Sequence, residues 1–241
     1  MRTFMRIVCK NDMEIPNSLI GLIEQSIRQN WNLDAMTDYK GVTLQYKDVA
    51  RKIEKIHILF KYAGIQQGDK IALCGRNSAN WAAAFLGIIT YGAVAVPILH
   101  EFKADNVHNI VNHSEARMLF VGDQVWENFN EAAMPKLEGI IELKNYDLVV
   151  TRSKLLTYAR EHLNEEFGKR YPCRFRAEHV SYRRENPEEV IVINYTSGTT
   201  GYSKGVMLPY RSVISNITHI HNKVNLKAGD NVVSMLPLGH I

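Results

Sequence analysis

The sequence predicts an α/β fold: a mostly parallel sheet with helices on both faces, a layered αβα arrangement. Beyond residue 68, short apolar runs alternate with helical stretches of about ten residues, the pattern of strand–helix–strand crossovers. The runs lack polar alternation, which suits strands covered on both faces. With 46% hydrophobic and 22% charged residues, the 241-residue chain can build an ordinary globular core.

The elements follow in order. Asn17 or Ser18 can cap a helix whose apolar positions Leu19, Leu22, Ile23 and Ile27 share one face. Residues 38–41 read as a turn and 42–46 as a short strand. A second helix starts near Lys47, with Val49, Ile53, Ile56, Leu59 and Phe60 on one side and Gly64 closing it. Strands are then expected over 70–74, 93–98 and 118–121, with helices over 80–91 and 104–112 between them. The signal weakens from Gly122 to Pro187. There, 155–167 looks helical, and the basic run from Lys169 to Arg184 reads as a solvated connector. Order returns with a β-prone run over 190–195, a loop, a helix over about 210–224 and a strand over 231–236.

Bulk properties exclude several functions. Lys plus Arg number 29 and Asp plus Glu 25, a formal charge of +4, which is too mild for a dedicated nucleic-acid binder. Cys9, Cys74 and Cys173 lie far apart, without metal-ligand spacing or a disulfide framework. The N-terminus has no continuous apolar signal sequence, and the apolar stretch 81–99 is broken by Gly87, Gly92 and Pro97. A cytoplasmic location is expected, without a transmembrane segment, leaving room for peripheral membrane contact.

The chemistry concentrates in Tyr195-Thr196-Ser197-Gly198-Thr199-Thr200-Gly201-Tyr202-Ser203-Lys204-Gly205. Glycines let backbone amides approach a ligand closely, and successive amides form concave anion sites. The hydroxyls of Thr196, Ser197, Thr199, Thr200 and Ser203 add donors with little bulk, and Lys204 adds a cation suited to phosphate. After a buried strand, this set fits a polyphosphate. It is not a Walker A loop: from Gly198 the sixth residue is Ser203, and Gly205 follows Lys204. Nor is it a dinucleotide fingerprint, since Gly198 and Gly201 lack the third glycine.

The segment resembles the phosphate-binding loop of the adenylate-forming superfamily: acyl-CoA synthetases, luciferases and the adenylation domains of peptide synthetases. Thr43–Val49, Tyr91–Pro97 and Leu236–His240 resemble further motifs of that superfamily in the same order. Ser203 stands where the superfamily usually has proline. The resemblance implies ATP-dependent activation of a carboxylic acid, of long-chain fatty type before amino or aryl acids, with Mg2+ and with CoA as co-substrate. Small molecules are then the partners, with no nucleic acid.

The resemblance also assigns roles. Thr196 would coordinate or orient magnesium, while Ser197, Gly198, Thr199, Thr200, Gly201, Ser203 and Lys204 would hold the phosphates. His240 would lie near the acyl group and the α-phosphate. It further implies that residues 68–224 form one nearly complete subdomain, with 1–67 and 225–241 belonging to an incomplete second one. The adenine pocket, the ribose-binding aspartate and the lid with its catalytic lysine would lie beyond residue 241. The chain is therefore expected to be an N-terminal portion, inactive by itself; a non-catalytic nucleotide-binding or interaction module is the alternative.

Overall fold

A computed structural model of the chain describes residues 3–6, 17–196, 204–224 and 229–240. The chain begins with β1 (Thr3–Arg6), α1 (Leu19–Gln29), β2 (Asp34–Asp38), β3 (Thr43–Gln45) and α2 (Tyr46–Tyr62). The alternating part follows as β4 (Lys70–Cys74), α3 (Ala79–Tyr91), β5 (Val94–Ile98), α4 (Ala104–His113) and β6 (Met118–Val121). Next come the short α5 (Asp123–Trp126), β7 (Gly139–Glu142), β8 (Leu148–Thr151), α6 (Lys154–Glu161) and α7 (Leu163–Arg170). The last elements are β9 (Val190–Thr196), β10 (Lys204–Pro209), α8 (Tyr210–Lys223) and β11 (Asn231–Ser234).

The expected α/β architecture is present. A seven-stranded sheet runs β10-β9-β5-β4-β6-β7-β8, and a four-stranded sheet runs β11-β1-β2-β3. In the larger sheet β9, β5, β4, β6 and β7 are parallel, while the edge strands β10 and β8 pair antiparallel with their neighbours. β5 and β6 flank β4, so the chain leaves β4 first to one side and then to the other. Ile71, Leu73, Ala95, Phe120 and Val192 belong to a core shared with α1, α2 and α3, whereas Ala72, Cys74, Val96, Leu119 and Val121 pack with α4. Neighbouring residues on these strands thus face opposite layers, and both layers are apolar.

Local chemistry sets the helix ends. Ser18 accepts from Gly21 N at 2.8 Å and Ser78 from Trp81 N at 3.0 Å, each satisfying an amide that a helix start leaves open. α3 ends at Gly92, whose φ of +93° suits glycine, and a side chain there would meet Arg183 at 2.7 Å. The stretch between α7 and β9 corrects the expectation of a solvated connector: its arginines are largely exposed, but Phe175, Val180 and Tyr182 are buried. Arg28 donates to Val180 O at 2.7 Å, Tyr182 N to Glu24 at 3.0 Å, and Ser18 Oγ to Glu185 at 2.8 Å.

His57 marks the contact of α2 with α3. It is buried, with Nε2 3.0 Å from Gly87 O and 3.1 Å from Thr90 Oγ1. Burial pushes its pKa down to about 3, against the upward pull of the Gly87 carbonyl. An unfolded chain binds that proton near the ordinary value of about 6.5, so acid favours unfolding. The stability His57 contributes is complete above about pH 6.5 and is lost as the pH falls towards about 3, with a slope of at most about 1.4 kcal/mol per unit. His57→Gln should lack this part of the acid sensitivity. Urea unfolding of both chains at about pH 7 and about pH 4 checks it, and an identical loss in the two would refute it.

Candidate functional site

Every parallel strand of the large sheet points its C-terminal end the same way, so the turns after β4, β5, β6 and β9 gather along one edge. In open α/β sheets ligands bind at this edge, where the strand order reverses. Here that place is β4 and its two neighbours, and a cavity of about 490 Å³ opens there, lined by Arg76, His100, Phe102, Lys103, Val125 and Phe129, among others. Three cation-capable side chains and two phenyl rings line it, and among the described residues no carboxylate does. Burial lowers the His100 pKa, Glu101 pulls it back up, and the charge of Arg76 lowers it further.

The loop chemistry lies on the same edge. Thr196 ends β9 and Lys204 begins β10, and the two are Cα partners in the antiparallel ladder. They therefore face each other at the mouth of a hairpin, both exposed. The remaining predicted phosphate residues, Ser197, Gly198, Thr199, Thr200, Gly201 and Ser203, lie outside the described residues. The strand β10 itself was not expected from the sequence. Just inside the mouth, Tyr195 is buried, with its hydroxyl 2.7 Å from His113 Nδ1. Gly205 is its partner across the ladder, and a Cβ there would come within 3.2 Å of the Tyr195 ring and 2.9 Å of Ile193.

His240 arrives from the other sheet. Its neighbour Gly239 lies against β5, where a Cβ would sit 3.2 Å from Leu99 and 3.5 Å from the Ile98 carbonyl. His240 N donates to Pro237 O at 3.0 Å, and the residue is exposed. Since β9 lies next to β5, Thr196, Lys204 and His240 share one end of the sheet. None of these three lines the cavity beside β4. Among the described residues, no cluster of three His, Cys, Asp or Glu side chains could hold a metal, and no helix is long and apolar enough to cross a membrane.

The AMP-binding enzyme family model matches residues 23–241. The chain belongs to the AMP-binding enzyme family. It is 30% identical over 236 residues to the long-chain-fatty-acid–CoA ligase ACSBG2 of Xenopus laevis, covering 94% of this chain and 31% of that protein. It is 29% identical over 205 residues to a chloroplastic long-chain-fatty-acid–acyl-carrier-protein ligase of Arabidopsis thaliana, covering 82% and 28%. Among solved structures, an anthranilate CoA ligase in complex with anthranoyl-AMP matches with a TM-score of 0.67 at 20% identity, covering 87% of this chain and 39% of that one. At that identity the likeness concerns the fold. The chain spans about a third of the length of the curated relatives it matches.

Within this AMP-binding enzyme domain, sequence reasoning missed Asn77. It follows β4, is buried, and uses both ends of its amide: Nδ2 donates to Leu236 O and Oδ1 accepts from Leu238 N, each at 2.7 Å. It therefore holds the backbone just before His240. No local pattern could reveal bonds to residues 159 and 161 positions away. Asn77→Ala should cost about 2 kcal/mol by leaving two backbone groups without their partner. Hydrogen exchange at the Leu238 amide should quicken while β4 stays protected; unchanged exchange there would contradict the clamp.

Proposed function

We propose that the chain is the phosphate-binding portion of an acid–thiol ligase that activates a carboxylic acid with ATP. In this reading the carboxylate attacks the α-phosphate of ATP, giving acyl-adenylate and pyrophosphate, and the thiol of CoA then displaces AMP. The observation that carries it is the Thr196–Lys204 pair at the mouth of the hairpin, on the edge where the parallel strands end. The reaction requires no nucleophile from the protein. Its catalysis is positioning and the neutralisation of phosphate charge.

The roles follow from chemistry. Lys204, with the hydroxyls and amides of Ser197, Gly198, Thr199, Thr200, Gly201 and Ser203, holds the β- and γ-phosphates. The Thr196 hydroxyl is a hard oxygen ligand, suited to a Mg2+ that takes most of its other ligands from phosphate and water. Magnesium held there would supply charge neutralisation. His240, held beside the end of β5 through the Asn77 clamp, orients the carboxylate. The cavity with Arg76, His100 and Lys103 suits the phosphates of CoA.

The acid is proposed to be a fatty acid, because both relatives are ligases of long-chain fatty acids by name. The aryl alternative has one support, the structural likeness to an anthranilate ligase. Among the described residues, Cys74 and Cys173 are free thiols, and a cytoplasmic setting is proposed as the sequence suggests. Residues 68–224 are proposed as one layered subdomain, with both flanks contributing to a second.

In a protein that joins this chain to the family's remaining length, Lys204→Ala should slow ATP–pyrophosphate exchange about a hundredfold or more. Unchanged exchange would sink the assignment, and the same assay against fatty, aryl and amino acids identifies the acid class. The 241-residue chain alone should make no acyl-CoA from ATP, palmitate and CoA. A thioester product from the pure chain would show that it is catalytically complete.

A further inference from the structure

We infer that the hydrogen bond between Tyr195 and His113 is a positioning device: it sets the direction of the Thr196–Lys204 pair and so tunes its grip on a polyphosphate. This deepens the phosphate-site reading and rests on it.

The tip of β9 needs such a device. Its register with β5 is established at Ala95 and Val192, below the tip, and β5 carries Pro97, which has no amide hydrogen to offer a neighbour. On the other side β9 pairs with β10, an edge strand whose Val206 and Met207 are 46% and 66% exposed. Beyond that register the mouth is bordered by an edge strand, and a further tie would align its phosphate-facing groups. Tyr195, one residue before Thr196, supplies the missing tie. Its hydroxyl lies 2.7 Å from His113 Nδ1, the rings meet edge to face at 5.7 Å, and Tyr195 is only 8% exposed.

The partner is anchored in the frame of the sheet. His113 is the last residue of α4, whose Val107, Ile110 and Val111 are buried against β4, β5 and β6. Opposite Tyr195 the ladder holds Gly205, and a side chain there would collide with Ile193 and with the tyrosine ring. A bare position across from a bulky ring allows that ring to cross the hairpin beneath the Thr196–Lys204 pair. Neither Tyr195 nor His113 needs to touch a ligand to act this way. Both work through the backbone of the pair.

The test titrates inorganic pyrophosphate with Mg2+ into the full chain by calorimetry. Tyr195→Phe and His113→Ala should each weaken binding about tenfold while retaining the fold by circular dichroism and shifting the thermal midpoint by no more than about 4 °C. The double variant should lose no more than either single one, because both remove the same bond. His113→Gln, which keeps a polar partner, should recover part of the affinity. In a Lys204→Ala background, Tyr195→Phe should cause no further loss, an outcome that general destabilisation would not produce. Wild-type affinity in Tyr195→Phe, or additive losses in the double variant, would overturn the inference and leave the phosphate site standing. A wild-type chain that fails to bind pyrophosphate would remove both. Should Tyr195→Phe misfold, His113→Gln and His113→Ala probe the same bond from its other end.

Discussion

Covering a parallel sheet with apolar layers on both faces leaves little freedom over where its loops emerge. Where one strand leads to a parallel neighbour, the chain must cross back over a face of the sheet, and that crossover is right-handed because the strands twist that way. The ends of β4, β5, β6 and β9 consequently lie side by side, although Cys74 and Thr196 are far apart in the chain. Buried side chains such as Leu73, Phe120 and Ile191 each contribute roughly 2 kcal/mol by leaving water. That burial brings Arg76, His100, Lys103 and Thr196 to one edge.

The polar contacts refine what burial assembles. Asn77 ties the segment leading to His240 onto the turn after β4, so the small sheet and the large one meet at the candidate site. Asp38 at the end of β2 accepts from Ala79 N at 2.9 Å, a second link between the small sheet and the start of α3. Both links join a flank of the chain to the βαβ core at the β4–α3 turn. The candidate site therefore draws on residues from near the beginning, middle and end of the chain.

Much of the fold was legible because its strongest signals are local. Apolar runs buried on both faces marked β4 and β6 to the residue, the cap at Asn17 or Ser18 marked the start of α1, and the apolar helical stretch 80–91 matched α3 within a residue. β10 was missed because Gly205 and Pro209 bracket only three apolar residues, too few to stand out as a strand. The expected helix over 155–167 is two helices divided at His162, where the pattern carries no breaker. β7 and β8 are four residues each, too short for periodicity to separate from loop. The buried Phe175, Val180 and Tyr182 were hidden among arginines because they follow neither a helical nor a strand period. At the candidate site, residue type singled out Thr196 and Lys204, whereas Asn77 and the Tyr195–His113 bond exist only once distant segments meet.

β10 has two unlike duties. It is one wall of the hairpin that presents Thr196 and Lys204, and among the described residues it is also the outer border of the sheet, with one side of its backbone unpaired in the ladder. A border strand is a template onto which another extended segment can add. Whatever settled there would brace the wall, so that adding a strand and aligning Thr196 with Lys204 would be coupled.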